Sequence, residues 1–519
     1  MPPLDNFPSF VFLLPELVLA GGIVLVLLLG LLGRTLPRQA PAALAIVTAL
    51  GAVAATLGTA DGQSRGLFLG LIARDPFADF FKLLAPLAAV IVILLALRAR
   101  DAIDFGLQPV PDREAPEFCA LILTAALGVQ LMAAATDLLM AYLALELVSI
   151  MSYVLTGFTR GSRRSAEAAL KYVVYGGVAS GAMIYGLSLL YGLAGTTALG
   201  PAASALATAP APVAIAAVAL TLAGLGFKVA VVPFHNWCPD VYQGAPTPVA
   251  AFLSVAPKAG GFALLIRFFA DRAPSDAVAA VAANVPWAML ALVVAVVTMT
   301  LGNLAALGQR NIKRLLAYSS IAHAGYVFLG LAAGAPAGHQ AILFYLGAYL
   351  FMNLAAFGVV VAVCDLPTAA VTVPAGPDPE AIGNWAGLSR RAPLLALVMT
   401  VALLALGGLP PSAGFVGKYY LFSALIAAGR SQHEPMFFVA ALIAVGNSVV
   451  SLYYYLRVVR SMYIDPVPAA MGTQARPLAA PLPAVLVGLG VAILALGLYW
   501  APLDALSTDA LGRWVAAAK

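Results

Sequence analysis

Windows of about 20 apolar residues, the length that a helix needs to cross roughly 30 Å of hydrocarbon, recur along the whole chain. Of the 519 residues, 62% are hydrophobic and 10% are charged, a balance that no soluble domain of this size shows. The chain is therefore predicted to be an all-α polytopic membrane protein. Its first apolar run, residues 10–32, is too long for the core of a signal peptide and is interpreted as a retained first span.

We predict about fourteen transmembrane helices. They are expected at residues 9–33, 41–59, 77–97, 117–136, 138–158, 168–194, 211–243, 247–270, 286–307, 314–334, 340–363, 392–429, 436–459 and 480–501. Two of these segments, 211–243 and 392–429, are too long for one simple crossing and contain proline near the middle. Because proline removes a backbone donor and clashes with the preceding turn, each segment is predicted to be a discontinuous helix.

Several function classes are excluded by the motifs that the sequence does and does not contain. The three cysteines, Cys119, Cys238 and Cys364, are scattered without a C-x-x-C pair, so no iron–sulfur cluster, zinc site or disulfide framework is predicted. No dinucleotide-binding, Walker or nucleophile-elbow motif is present. The chain itself is expected to hold no redox cofactor and to hydrolyse no nucleotide. Its net charge of +5 is attributed to membrane topology, and no nucleic-acid partner is expected.

The distribution of basic residues predicts the orientation in the membrane, because Lys and Arg concentrate in cytoplasmic loops. Fourteen spans put both termini on one side. The loops of that side hold six basic residues: Arg65, Arg74, Arg272, Arg430, Arg513 and Lys519. The loops of the other side hold sixteen: Arg34, Arg38, Arg98, Arg100, Arg113, Arg160, Arg163, Arg164, Arg310, Lys313, Arg314, Arg390, Arg391, Arg457, Arg460 and Arg476. Both termini are therefore predicted to face away from the cytoplasm.

The two broken segments indicate an internal repeat. Pro233 and Pro410 are 177 residues apart (410 − 233), and Glu146 and His323 are separated by the same interval (323 − 146). Spans four to eight and nine to thirteen would then be two five-helix repeats, inverted because an odd number of crossings separates them. Paired broken helices at corresponding positions of two halves point to a transport site. We expect the units to be residues 1–114, 115–272, 280–465 and 466–519.

Ionisable residues deep inside apolar spans are candidate functional residues, because burying a charge there costs a few kcal/mol or more. Lys228 and Lys258 lie in long apolar sequence, with Pro233 and His235 between them. Desolvation disfavours the ammonium form and so brings proton exchange within reach. Lys258 follows Pro257, and the carbonyls that this proline frees one turn back are expected to accept from the ammonium.

Glu146 and Lys418 are the other two charges expected at depth. Glu146 has eight residues of apolar span before it, and its alternative is a structural hydrogen bond to a neighbouring helix. Lys418 lies just beyond the second break, where the alternative is a side chain that reaches the interface. Lys171 is closer to the start of its span, so the same alternative is stronger there.

His235 and His323 titrate near neutrality and lie inside a break and a span, although a lone histidine is often a satisfied core residue. Glu16 and Lys82 are nearer span ends and are interpreted as structural. The functional candidates are arranged as a horizontal relay of titratable groups and not as one substrate pocket: Glu146, Lys171, Lys228, His235, Lys258, His323 and Lys418.

Six segments resemble the antiporter-like subunit family of the proton-pumping NADH–quinone oxidoreductase, bacterial respiratory complex I. The likeness covers essentially the whole chain, and its motifs are long and specific. The segments are LLPELVLAGG, LALELVSIMSYVLTGF, RSAEAALKYVVYGGVASGAMIYGLSLLYG, FKVAVVPFHNWCPDVYQGAPTPVAAFLSVAPKAG, NIKRLLAYSSIAHAGYVFLGLAAG and GGLPPSAGFVGKYYLF.

The resemblance implies roles for four matching residues. Glu146 and Lys228 would be the acid–lysine pair, Lys258 the central lysine and Lys418 the outlet-side lysine. A glutamate at the last position would have suggested the sister subunit M. The long C-terminal lateral helix that is typical of subunit L is also missing.

The resemblance also implies the surroundings of the chain. It implies a bacterial inner membrane, FMN and iron–sulfur clusters in partner subunits, and quinone bound elsewhere in the complex. The implied partners are subunit M, the small subunits K and J, and lipids. Two alternatives stay open: a subunit of a multi-subunit cation/proton antiporter, which shares fold and residues, and a non-transporting structural subunit, which leaves the buried charges unexplained.

Overall fold

The computed structural model describes residues 7–32, 39–97, 100–103, 106–109, 115–270, 286–334, 336–365, 380–467 and 481–517. Twenty α-helices lie within these ranges. They are α1 Phe7–Phe12, α2 Leu14–Leu31, α3 Ala40–Thr59, α4 Pro76–Ala96, α5 Ala115–Ala134, α6 Leu138–Thr156, α7 Arg163–Ala194, α8 Leu199–Ala205, α9 Ala211–Val229, α10 Trp237–Gly244, α11 Thr247–Ala270, α12 Trp287–Leu307, α13 Ile312–Ala333, α14 Ala337–Asp365, α15 Leu388–Arg391, α16 Pro393–Gly407, α17 Ala413–Gln432, α18 Pro435–Tyr463, α19 Leu482–Leu498 and α20 Ala501–Ala517.

Two antiparallel hairpins accompany the helices. β1 (Arg65–Leu67) pairs with β2 (Ile72–Arg74), with Arg65 opposite Arg74. β3 (Arg100–Ile103) pairs with β4 (Gly106–Pro109), with Ile103 opposite Gly106. Both hairpins connect membrane-crossing helices, so the membrane domain itself is all-α.

The predicted spans are confirmed as helices. Twelve of the described helices are long and apolar enough to cross a membrane, and the bent pair α19–α20 makes a thirteenth candidate. The broken pair α16–α17 occupies the remaining predicted span. The helix α7 begins at Arg163 instead of residue 168, because the side chain of Ser162 accepts from the backbone N–H of Ser165 and caps a polar first turn.

The end of the chain differs from the expectation of one span at 480–501 followed by a tail. α19 stops at Leu498, and α20 leaves it at an angle of 76°. Polar contacts dock α20 on α14: Gln340 Nε2 donates to Asp504 Oδ1 (3.0 Å) and to Thr508 Oγ1 (2.7 Å). Apolar windows could not find α20 because four polar residues, Asp504, Ser507, Thr508 and Asp509, interrupt its apolar sequence.

The first break follows the rule for proline. A proline ring clashes with the carbonyl four residues earlier, and α9 ends at Val229, four residues before Pro233. Ala230 adopts a left-handed conformation at φ 60°. The released backbone groups find partners, since Phe227 O accepts from Trp237 Nε1 (3.0 Å) and Val232 N donates to Thr298 Oγ1 (3.1 Å).

The second break lies between α16 and α17. Gly408 ends α16 in a left-handed conformation at φ 84°, which suits a residue without a Cβ. Pro410 and Pro411 follow, and Ser412 caps α17 by accepting from Phe415 N. Each break therefore falls in the fourth crossing of its five-helix repeat, as the spacing predicts.

Three helices form the centre of the bundle. The membrane window of α11 is entirely buried within the chain, and those of α13 and α14 are almost entirely buried. In contrast, less than half of the membrane window is buried in α2, α6 and α18. The two repeats therefore meet along the helices that carry Lys258 and His323.

Some residues of the sequence-based scheme lie outside the described ranges. These are Arg34, Arg38, Arg98, Arg113, Arg272, Arg476 and Lys519. The proposed boundaries at 114/115, 272–280 and 465/466 fall in or beside such ranges, so the division into four units stays a prediction.

Candidate functional site: a line of buried lysines

The first buried lysine lies at the end of the first half-helix. Lys228 is the penultimate residue of α9, and its Nζ donates to Ser149 Oγ on α6 (3.0 Å). Glu146, one helical turn before Ser149, accepts a short hydrogen bond from Ser180 on α7. Each member of the implied acid–lysine pair therefore binds a serine instead of the other, and Ser149 is the group that connects Lys228 to the helix of Glu146.

The central lysine crosses from one repeat to the other. Lys258 lies in the middle of α11, and its Nζ donates to Ser320 Oγ (2.6 Å) and to Ser320 O (3.2 Å) on α13. The expected acceptors, the carbonyls one turn back from Pro257, are not the ones it uses. The ring of Tyr242 lies 5.8 Å from the ammonium. Pro257 lies inside the continuous helix α11, and the partner of the lysine comes from the other repeat.

A cavity lies between Lys258 and His323, and hydroxyl groups of serine and tyrosine line it. The cavity is lined by Lys258, Ser320, His323, Tyr345 and Tyr349, together with apolar residues. Buried groups of this kind can exchange protons, because histidine both accepts and donates near neutrality and the hydroxyl group of tyrosine does both in a hydrogen bond.

Both ring nitrogens of His323 form hydrogen bonds with tyrosine hydroxyl groups. The Tyr345 hydroxyl is 2.5 Å from Nδ1, and the Tyr455 hydroxyl is 3.2 Å from Nε2. Tyr455 continues to Ser319, whose Oγ is 2.5 Å from its hydroxyl. A core histidine with two hydroxyl partners can change its protonated nitrogen without losing a partner.

The third lysine lies at the second break. Lys418 on α17 is buried, and its Nζ donates to Gly407 O (3.0 Å), a carbonyl in the last turn of α16. The negative end of a helix dipole favours a cation there. The face of the Tyr326 ring supplies a second contact, 4.7 Å from Nζ to the ring centroid. Tyr326 in turn accepts from Asn303 Nδ2 (3.2 Å).

Two predicted candidates make no hydrogen bond or ion pair with the three buried lysines within the described residues. Lys171 has a side chain that is 40% exposed, and it pairs with Glu167 (2.7 Å) and with Asp240 (2.8 Å) on α10. His235 lies in the first break, and its Nδ1 has no hydrogen-bond partner among the described residues. The structure brings Lys258 and His323 to one cavity but does not bring Lys171 to it.

Sequence reasoning missed the hydroxyl groups that connect the charges. Ser149 and Ser320 could have been found, because each lies three residues from a singled-out residue and so shares a helix face with Glu146 or His323. Tyr345 and Tyr455 carried no such signal, because they reach His323 from other helices.

No group of three or more His, Cys, Asp and Glu side chains that could hold a metal ion occurs in the described part of the chain. The expectation that this chain carries no redox cofactor stays a prediction. The arrangement offers proton exchange among buried lysine, histidine and hydroxyl groups.

A bundle of about fourteen crossings with two broken helices and lysines buried at the breaks defines an antiporter-like membrane protein. A family profile described as NADH:quinone oxidoreductase/Mrp antiporter, transmembrane region, matches residues 135–444. The chain belongs to this family.

Individual relatives agree with this assignment. NADH-quinone oxidoreductase subunit N of Anaeromyxobacter sp. (strain Fw109-5) is 44% identical, and the match covers 96% of this chain and 96% of the relative. A chain of respiratory complex I from Thermus thermophilus with bound aureothin has a TM-score of 0.75 and 35% identity, and the match covers 95% of this chain and 98% of that one. A chain of the Mrp complex from Dietzia sp. DQ12-45-1b has a TM-score of 0.79 at 23% identity, covers 98% of this chain and 99% of that one, and shows the fold alone.

Proposed function

We propose that this chain is subunit N of a proton-translocating NADH–quinone oxidoreductase. Its role is to move protons through the membrane arm, while electron transfer to quinone takes place in partner subunits. The likeness to the Anaeromyxobacter and Thermus chains supports this role over others in the family.

One observation carries the proposal. Lys228, Lys258 and Lys418 are buried, and in the described part of the chain each binds a hydroxyl or carbonyl group and no carboxylate. A buried ammonium without a counter-ion is costly. It becomes tolerable when the lysine can give up its proton, which is what a relay needs.

The sequence of proton movements follows from these contacts. A negative charge on Glu146 favours the ammonium form of Lys228, because Lys228 binds Ser149, which lies one helical turn from Glu146 on α6. When another group draws that charge away, Lys228 releases its proton toward Lys258. From Lys258 the cavity leads to His323, and Lys418 is the outlet. His235 and Lys171 are assigned as accessory proton-exchanging groups beside the first break.

The proposal includes the surroundings of the chain. It would lie in the bacterial inner membrane with both termini on the periplasmic side, next to subunit M, the small subunits K and J, and lipids. FMN and the iron–sulfur clusters would be in partner subunits, and quinone would bind elsewhere in the complex. Residues 1–114, 115–272, 280–465 and 466–519 would be its structural units.

The test is proton pumping by assembled variants. Glu146→Ala, Lys228→Ala and Lys258→Ala should each depress NADH-driven pumping in proteoliposomes and quinone reduction, with the complex still assembled. Leu143→Ala, at an exposed apolar position of α6, is the matched control and should pump normally. Wild-type pumping by an assembled lysine variant contradicts the relay.

A cation/proton antiporter subunit is the second candidate, because the Mrp chain has the same fold. Co-purification separates the two. Subunit N should bring down flavin- and iron–sulfur-containing partners, whereas an antiporter subunit should bring down small membrane subunits without them.

A further inference from the structure

A buried polar cluster lies beside Lys418, where α12, α13 and α18 meet. Its members are Asn303 on α12, Tyr326 on α13, and Asn447 and Tyr454 on α18, and all four are buried. Asn303 Nδ2 donates to the Tyr326 hydroxyl (3.2 Å) and to Asn447 Oδ1 (3.1 Å). Its Oδ1 accepts from the Tyr454 hydroxyl (3.0 Å). Both polar atoms of the Asn303 amide therefore have partners, and one partner is the tyrosine whose ring faces Lys418.

The orientation of the Asn303 amide follows from the chemistry of its neighbours. Asn447 Nδ2 donates to Ile443 O (3.0 Å), and a main-chain carbonyl only accepts. Asn447 therefore presents its oxygen to Asn303, and Asn303 faces that oxygen with its NH2 group. The same NH2 group binds Tyr326. If the amide turned over, two oxygen acceptors would face each other, so the amide holds the tyrosine hydroxyl in one position.

Hydrogen bonds to its hydroxyl group fix the position of the Tyr326 ring. Besides Asn303, Ser448 Oγ donates to this hydroxyl (3.4 Å). The face of the ring lies 4.7 Å from Lys418 Nζ. A ring attracts a cation over its face at this distance, and the attraction is larger in a desolvated site. Asn303 therefore acts on Lys418 through the angle and the depth of the tyrosine ring.

Close contact between α12 and α13 brings the amide to the tyrosine. Asn303 and Tyr326 each follow a glycine, and both glycines lie where the two helices touch. A Cβ at Gly302 or at Gly325 would come within 2.7 Å of the backbone of the other helix. Small residues allow helix backbones to approach this closely in a membrane. The depth of Asn303 relative to Tyr326 is therefore set by backbone contact on both helices.

The spacing of the two repeats supports the same role. Tyr326 is 177 residues after Ser149 (326 − 149), the interval that also separates the prolines of the two breaks. Ser149 binds Lys228, and Tyr326 contacts Lys418. A serine hydroxyl bonds a lysine directly, whereas a ring must be held with its face toward the charge. The residue 177 positions before Asn303 is an alanine, so only the repeat that uses a ring has the amide.

The other groups that face Lys418 supply no negative charge. They are His323 from α13, Tyr345 from α14 and Tyr455 from α18, and none of these side chains is an anion near neutral pH. The helices α16 and α19 contribute no titratable side chain. Within the described residues Lys418 forms no ion pair, and its hydrogen bond goes to Gly407 O (3.0 Å). The ring and this carbonyl are therefore its stabilising contacts.

We propose that Asn303 is a positioning residue for Lys418. It holds the hydroxyl group of Tyr326 and keeps the face of that ring against the ammonium. Lys418 can then take up a proton although no carboxylate is present to attract it. Asn447 and Tyr454 hold Asn303 in turn. The inference rests on the proposed function, because Asn303 has this role only if Lys418 exchanges protons.

The test is the pH dependence of NADH-driven pumping by the assembled complex in proteoliposomes. Asn303→Leu keeps the size of the side chain but cannot hold the hydroxyl group of Tyr326. On the alkaline side, pumping by this variant should fall at a lower pH than in the wild type. The expected shift is up to about one pH unit, which corresponds to the loss of a contact of cation–π strength.

Tyr326→Phe isolates the contact through which Asn303 acts. It keeps the ring but loses the hydroxyl group that Asn303 holds, so it should show the same alkaline shift. The double variant should shift no further, because both substitutions remove one interaction. If Asn303→Leu does not assemble, Tyr326→Phe gives the same measurement.

Thr300→Val is the matched control. Thr300 lies one turn before Asn303 on α12 and accepts from Asn447 Nδ2 (3.1 Å), but it makes no hydrogen bond with Tyr326 among the described residues. Its substitution should leave the pH profile at the wild-type position.

The outcomes separate this role from a structural one. A wild-type pH profile in the assembled Asn303 and Tyr326 variants overturns the inference. A loss of pumping that is equal at every pH, or an equal shift in Thr300→Val, also overturns it and leaves a purely structural amide. A wild type that does not pump at any pH overturns the proposed function, and the role of Asn303 falls with it.

Discussion

Each of the three lysines of the proposed relay donates to a different set of acceptors. Lys228 uses a hydroxyl, Lys258 a hydroxyl and a carbonyl of the same serine, and Lys418 a helix-terminal carbonyl with an aromatic face. None of these acceptors carries a full negative charge. A neutral lysine therefore loses less at these positions than it would beside a carboxylate.

Lys418 offers the sharpest test at the scale of one residue. Lys418→Arg keeps the positive charge but cannot release a proton, so it should lower pumping and quinone reduction almost as much as Lys418→Ala. The expected loss is on the order of a hundredfold or more in the rate of the step that Lys418 serves, as for other proton-transfer groups. Lys418→Glu keeps a titratable group and should retain part of the activity.

The measurement is NADH-driven pumping in membranes, normalised to assembled complex. Full activity in Lys418→Arg would mean that a fixed charge suffices there, and Lys418 would then not carry protons.

At the scale of the helix, the two breaks create the places where lysine can be buried. A continuous α-helix has no free carbonyl in its middle, whereas α16 ends inside the bundle and offers Gly407 O to Lys418. At the first break the free carbonyl of Phe227 accepts a hydrogen bond from Trp237 Nε1 and not from a lysine. The breaks are alike in position but not in how they are satisfied.

Gly408 tests the geometry of the second break. A Cβ there would lie 2.8 Å from Lys418 Cδ, and the residue has φ +84°, so alanine is strained by about 1–2 kcal/mol. Gly408→Ala should lower the thermal midpoint and reduce pumping, because the Lys418 side chain must move. Gly488→Ala in α19, where a Cβ meets nothing within 4 Å, is the control. Equal behaviour of the two variants would argue against a geometric role for Gly408.

At the scale of the whole molecule, charged contacts join the two repeats at one membrane face. Asp240 on α10 pairs with Arg314 on α13 (2.6 Å). Glu380 pairs with Lys313 on α13 (3.2 Å) and lies 3.5 Å from Arg164 on α7. These contacts hold α7 and α10 of the first repeat against the second.

Acidification should weaken these charged contacts between the two repeats. Burial raises the pKa of Glu380, but the charges of Lys313 and Arg164 outweigh it and hold the pKa below its ordinary value. A lowered pKa adds stability that is present above the ordinary value of about 4.3 and is lost as the pH falls through the folded-state value. The thermal midpoint of the wild type should therefore fall on acidification. Glu380→Gln should make this fall smaller, because it removes a contribution of up to about 1.4 kcal/mol per pH unit from the slope of the unfolding free energy.

The comparison uses the assembled protein at a series of pH values. Glu434→Gln, at an exposed position before α18, should keep the wild-type slope. If the thermal midpoint of Glu380→Gln falls as steeply with pH as that of the wild type, the contacts between the repeats do not depend on this carboxylate.

The orientation of the molecule is a further prediction at this scale. The sixteen-to-six division of basic residues predicts that labels at either terminus are reached only from outside the cytoplasm. Cysteines introduced at exposed positions of the loops that carry Arg163 and Lys313, such as Arg163 itself and Arg310, should be labelled from inside. The measurement is accessibility to a membrane-impermeant thiol reagent in oriented vesicles, and termini labelled from the cytoplasm would contradict the span count.

The sequence by itself determined the crossings, the two breaks and the depth of the lysines. These are local properties, because apolar length and proline position act within a single segment. Only the tertiary structure decided which group receives each charge. Lys228 and Ser149 are 79 residues apart, Lys258 and Ser320 are 62 apart, and His323 and Tyr455 are 132 apart. No local pattern encodes such pairings. Packing of helices within each repeat brings the first and third pairs together, and packing between the repeats brings Lys258 to Ser320. The docking of α20 on α14 is likewise a product of tertiary packing.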